Sequence, residues 1–140
     1  MIENFKIIGS FIKDMSSETP DVLTYLYVRE NISNYKLNID IASKPVRDGI
    51  IEINIVLKYK DPKDHKKKSY FEINYTSVVK VNTKITEKKE LEKIILCDVP
   101  SKVYPDLEKI FLNLLRDSGF PGIILEKKVD FFELYKQKPN

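Results

Sequence analysis

Tryptophan is absent, histidine and cysteine occur once each, and only four glycines are spread over 140 residues. Each scarcity removes a class of chemistry. Cys97 alone excludes an internal disulfide and a cysteine-based zinc cluster, and its setting in 94-IILCDV-99 is that of a buried structural thiol. His65 stands between Asp64 and three lysines in a polar turn, where an imidazole is solvated and mobile, a poor position for a metal or a proton relay. Gly9, Gly49, Gly119 and Gly122 are too scattered for a phosphate-cradling loop. Long apolar runs are missing too: 110-IFLNLL-115 and 121-PGIIL-125 fall far short of the roughly twenty residues that span a bilayer. The start, 1-MIENFKIIGSFIKD-14, lacks the cationic head and long apolar core of a secretory leader. With positioned acids, bases, nucleophiles and metal ligands so sparse, the expectation is a cytoplasmic protein, not inserted in a membrane, that is no enzyme and uses no cofactor or metal.

What is present suffices for one folded domain over residues 1–140. Hydrophobic residues at 42% and charged residues at 32% are globular proportions, and a chain of this length buries about two thirds of its unfolded surface. From Tyr35 onward, Leu37, Ile39 and Ile41 alternate with Lys36, Asn38 and Asp40, the period of a half-buried strand. After a breaker at 44-KPVRDG-49, a second strand is expected over 50–59, with Ile51, Ile53, Ile55 and Leu57 on one face. The charged 60-KDPKDHKKK-68 marks a turn, and 69–81 forms a third strand that closes an antiparallel hairpin. One face of that strand carries Tyr70, Glu72, Asn74 and Thr76, and the other Phe71, Ile73, Tyr75 and Val79. A further strand is expected at the N-terminus, through Ile7, Ile8, Phe11, Ile12 and Met15. Three helices should follow. The first covers 87–99 and is stopped by Pro100. The second starts at Pro105, bears the stripe Leu107, Ile110, Phe111, Leu114 and Leu115, and ends at Gly119. The third, near 129–137, buries Phe131, Leu134 and Tyr135. An antiparallel sheet followed by helices is an α+β domain.

Charge and aromatic content leave more than one reading. Six lysines crowd positions 58–68, while residues 1–30 carry five acids against three bases, within a net charge of +3. Clustered lysines can displace counterions from phosphates, but arginines are few and the nearest rings, Tyr59 and Tyr70, lie in strands on either side of the turn, so a solvated hairpin tip that blocks edge pairing is the favoured reading. Asp14 and Glu18, four apart, point to one side of a strand. They suit either a basic partner or ordinary surface charge. Eight tyrosines and seven phenylalanines are many for this size, and Tyr35, Tyr59, Tyr70, Phe71 and Tyr75 occupy both faces of the expected sheet. One face should therefore meet a second subunit or an apolar ligand.

Three segments, in order, carry a resemblance: 11-FIKDMSSETP-20, 98-DVPSKVYPDLEKI-110, and 116-RDSGFP-121 followed by 131-FFELY-135. Together they resemble the SecB family of protein-export chaperones over about residues 5–135. The resemblance implies a four-stranded antiparallel sheet with two packed C-terminal helices, assembled as a dimer of dimers. It implies an ATP-independent holdase that keeps unfolded secretory precursors in apolar grooves and hands them to the SecA motor ATPase, without nucleic acid. Carried over position by position, the acids for the motor are Asp14, Glu18 and Glu72, and the groove residues are Leu37, Ile39, Tyr70, Phe131, Leu134 and Tyr135. The subunit interface would use Phe71, Ile73, Tyr75, Leu107, Phe111 and Leu114. Members are typically acidic where this chain is slightly basic, and Ser17 stands where an aromatic is common. A chaperone of the same kind dedicated to one antitoxin is the alternative.

Overall fold

In the computed structural model, residues 4–63, 66–125 and 129–137 are described; His65 lies outside them. Four strands, β1 (Phe5–Glu18), β2 (Lys36–Arg47), β3 (Ile50–Lys60) and β4 (Tyr70–Val81), form one antiparallel sheet in the order β1-β4-β3-β2. The helices are α1 (Val22–Asn31), α2 (Lys88–Lys93), α3 (Val99–Asp117) and α4 (Phe131–Lys136).

The alternation expected of β3 and β4 sets the core. Ile53, Ile55, Leu57 and Tyr59 on β3 and Phe71, Ile73, Tyr75 and Val79 on β4 are buried, and they meet Val103, Tyr104, Leu107, Phe111 and Leu115 of the helical layer. Each such side chain contributes roughly 1.5–3 kcal/mol on leaving water. Rings lock the layers: Tyr59 meets Phe111 edge-on at 6.4 Å, and Phe71 meets Phe120 edge-on at 5.6 Å.

Several expectations need correction. Pro45 does not break β2, because β2 is an edge strand and proline there costs no ladder bond on its open side. The true turn is Asp48-Gly49, with Gly49 at φ +69°, joining Arg47 to Ile50. Pro100 does not end a helix, nor does Pro105 begin one. α2 runs through a wide turn, Ile94–Asp98, in which the Val99 N–H bonds the Ile94 carbonyl, and continues as α3. Pro100 follows that widened turn, and Pro105 sits on the exposed side with Ser101 and Lys102, where a displaced carbonyl can turn to water. α1 was not expected at all.

The aromatic rings do not divide between two faces as expected. Tyr35, Tyr59, Phe71 and Tyr75 all lie on the helix-covered side, where Tyr35, Tyr59 and Phe71 are mutually within 6.5 Å; only Tyr70 points outward. Phe71, Ile73, Leu107 and Phe111, expected at a subunit interface, are 0% exposed within the single chain. Tyr75 is nearly as buried and Leu114 half-buried. The apolarity of the buried ones is used within the chain in packing α3 on the sheet.

Candidate functional site

On the open face of the sheet, cross-strand register brings the three candidate acids together. Asp14 stands opposite Asn74, Ser16 opposite Glu72, and Glu18 opposite Tyr70, so Asp14 and Glu18 lie diagonally on either side of Glu72. Asp14 and Glu18 share this face by simple alternation, while a bulge at Lys13, between the Ile12 and Asp14 pairings, resets the strand so that Ile12 and Met15, three apart, both face the helices. Glu72 accepts a hydrogen bond from the Tyr70 hydroxyl at 2.9 Å and has Lys58 at 3.5 Å. Burial, then the bond to Glu72, pushes the Tyr70 phenol up to about 12, so it stays a donor and holds the carboxylate in place. Tyr70, expected among the groove residues, thus stands on the open face beside the acids. Phe11, half exposed, is on this face opposite Thr76.

Beside the acids runs a satisfied polar chain. Lys13 donates to Glu52 at 2.9 Å, Asn54 donates to the same oxygen at 2.8 Å, and Thr76 donates to Asn54 at 2.6 Å. The Asn54 bond and then Lys13 hold the Glu52 carboxyl below its ordinary value. A depressed carboxylate favours the folded state above its unfolded pKa and loses that contribution as pH falls through the folded value.

The other groove candidates lie on the helix side. Leu37 and Ile39 are half-buried on edge strand β2, opposite Tyr59 and Leu57. On α4, Leu134 is 47% exposed, while the Tyr135 hydroxyl donates to Glu92 at 3.4 Å. Phe131 is 2% exposed, ring to ring with Tyr104 at 5.5 Å, and its carbonyl accepts from the Cys97 thiol at 3.7 Å. It anchors α4 to the helical layer. Burial raises the Cys97 thiol's pKa, as suits an inert structural cysteine.

Sequence reasoning missed part of the exposed apolar surface. Val22, Leu23 and Leu26 on α1 and Ile12 and Met15 on the helix side of β1 are all more than 40% exposed. For Val22, Leu23 and Leu26 the only available signal was the cap: Asp21 accepts from the Thr24 N–H at 2.8 Å. The ends of α1 and α3 are joined at 118-SGF-120. The Tyr25 hydroxyl donates to the Gly119 carbonyl at 2.8 Å, its ring packs on Phe120 at 5.3 Å, and Ser118 is 2.7 Å from Ser17 of β1.

Among the described residues the buried Tyr104 hydroxyl has no hydrogen-bond partner, and burial pushes its pKa up to about 12. An unmet buried donor costs about 1–3 kcal/mol. Tyr104→Phe is therefore expected to leave stability unchanged or raise it by about 1 kcal/mol in a urea melt; a clear loss would show that the hydroxyl has a partner in solution.

A family profile described as preprotein translocase subunit SecB matches residues 2–140. The chain belongs to the SecB family. A SecB-named chain of Pelagibacter ubique (strain HTCC1062) is 67% identical over all 140 residues of both proteins. The protein-export protein SecB of Mesorhizobium japonicum is 23% identical, over 96% of this chain and 79% of the relative. SecB is a chaperone family and not an enzyme family. A SecB-like chaperone of Mycobacterium tuberculosis, solved with a peptide from an antitoxin, shares the fold with a TM-score of 0.64 at 11% identity, over 89% of this chain and 91% of that one. The α+β sheet-and-helix architecture is thus that of a SecB-like chaperone. Among the described residues no helix is long and apolar enough to cross a membrane.

Proposed function

We infer that this SecB-family chain is an ATP-independent holdase of one domain that binds unfolded secretory precursors and delivers them to the SecA motor. It acts in the cytoplasm, without catalysis or cofactor. The observation that carries this reading is the division of the surface. One side of the sheet is open and gathers Asp14, Glu18 and Glu72, while exposed Val22, Leu23, Leu26 and Leu134 lie on α1 and α4. An unfolded chain held by several weak apolar contacts is bound without sequence readout, by avidity, leaving the acidic face free for a basic partner.

The homotetramer, a dimer of dimers, is part of the same reading, with a different first contact from the one expected. β1 is a 14-residue edge strand whose only ladder, among the described residues, is to β4, and a long edge with apolar side chains favours pairing with another chain. Ile12 and Met15 on its helix side supply that apolar surface. Replacing both by lysine is expected to shift the sedimentation profile toward a smaller species; an unchanged profile would remove β1 from the interface.

The holding activity is tested by diluting an unfolded precursor from denaturant with stoichiometric chain and no nucleotide. Suppressed aggregation and slowed folding of several unrelated precursors are expected. Holding of none of them would exclude the general role and favour a single dedicated partner, such as an antitoxin.

A further inference from the structure

At one corner of the molecule an exposed aliphatic ridge lies beside a run of cations. α1 turns Thr24 and Val28 inward and leaves Val22, Leu23 and Leu26 exposed by 72%, 65% and 48%. At 3.6 residues per turn these three fall within about 100° of one another, on a single outward face. The turn between β3 and β4 is tied to both ends of this helix through Ser69. Ahead of α1, Thr19 and Ser69 share a hydroxyl–hydroxyl bond of 2.7 Å. Beyond α1, the buried Tyr35 hydroxyl donates to the Ser69 carbonyl at 3.1 Å and accepts from the Ser69 N–H at 2.9 Å. Lys66, Lys67 and Lys68 immediately precede this anchored residue and are exposed, as is Lys63.

Among the described residues, Asp21 and Asp61 are already engaged. Asp21 caps α1 through the Thr24 N–H, and its carboxyl is held low by Thr24's backbone and side-chain hydrogen bonds, with a smaller contribution from Lys67. Asp61 is buried and accepts from the Lys63 N–H at 3.0 Å. Lys63, Lys66 and Lys67 are thus exposed next to aliphatic side chains.

We propose, resting on the holdase reading, that the α1 ridge and the lysine turn form one surface that selects client segments in which aliphatic residues are flanked by acidic ones. The ridge takes the aliphatic residues and gives affinity without orientation, while Lys63, Lys66 and Lys67 take the flanking carboxylates.

The test uses three labelled peptides with one Leu/Val-rich core and flanks of glutamate, serine or lysine, titrated with the full chain by fluorescence anisotropy. The glutamate-flanked peptide is expected to bind about tenfold more tightly than the lysine-flanked one at low salt, as two or three exposed ion pairs allow. The difference should shrink at high salt. The Lys63→Glu/Lys66→Glu/Lys67→Glu variant, checked for fold by circular dichroism, should invert the order. Leu23→Ser/Leu26→Ser should weaken all three peptides alike. Equal binding of the three peptides by the natural chain overturns the selection and leaves the holdase reading standing. Binding of none, together with failure to hold a diluted precursor, removes the holdase reading itself. An oligonucleotide that displaces the glutamate-flanked peptide at equal concentration overturns the proposal in favour of a nucleic-acid surface.

Discussion

Gly119→Ala is expected to cost about 3 kcal/mol of folding stability, the sum of backbone strain and a steric conflict, and to lower the melting temperature by about 10 °C. Two independent features of the site lead there. Gly119 adopts φ +104°, a conformation that residues with a Cβ rarely enter. An alanine Cβ would also lie 2.6 Å from the Cε1 atom of Tyr25, a ring carbon and not the end of a flexible chain. Tyr25 cannot easily retreat, because its hydroxyl is bonded to the Gly119 carbonyl and its ring rests on Phe120, which in turn packs on Phe71 in the core. The strain should therefore spread into α1, and limited proteolysis should cut the segment around residues 19–34 faster in the variant. A double-mutant cycle with Tyr25→Ala separates the two causes. If the contact matters, the double variant loses less than the sum of the singles; strict additivity would assign the whole effect to the backbone angle. A Gly119→Ala chain as stable as the natural one would contradict both.

The same residues show what the sequence could and could not disclose. 116-RDSGFP-121 stood out as a helix stop and as one of the segments that carry the family resemblance, and the stop is where it was expected. Its tertiary task, clasping α1 against α3 and β4, was illegible, because Tyr25 is 94 residues away in the chain and α1 itself had not been read. α1 escaped detection for a physical reason: its buried face is Thr24 and Val28, while Val22, Leu23 and Leu26 face solvent, so apolar periodicity, which normally reports the buried face, reports the opposite here. By contrast β3 and β4 bury one face more deeply than the other along most of their length, and their alternation gave both strands and the faces of Phe71 and Glu72 correctly. Pro45, Pro100 and Pro105 misled because each was taken as a boundary; an edge strand, the widened turn before buried Pro100 and the solvent-facing helix side at Pro105 accommodate them. The apolar residues assigned to an interface could not be told from core by type alone, since both demand the same side chains.

Neutralising the acidic trio, with Asp14→Asn, Glu18→Gln and Glu72→Gln together, is expected to weaken binding to SecA about a hundredfold at low salt, as the loss of three charge contacts around one partner patch allows. The attraction in question must be local. The whole chain carries +3, so its long-range field opposes a basic partner, and Lys58 beside Glu72 already offsets part of the patch. Contact over a few ångströms therefore has to supply what steering does not, which predicts a modest association rate and a dissociation rate that responds strongly to the substitutions. Amide replacements keep the shape of each side chain. For Glu72 the remaining carbonyl oxygen can still accept from the Tyr70 hydroxyl, so the face should stay folded. Raising salt should bring the natural chain's affinity down toward that of the variant, because charges on an open sheet face are screened over about 8–10 Å at physiological ionic strength. Precursor holding measured alongside separates the causes, since loss of both activities together would point to a damaged fold, whereas SecA binding unchanged in a folded variant would show that the open face is not where the motor docks. In that case the conjunction of Asp14, Glu18 and Glu72 would be ordinary surface charge.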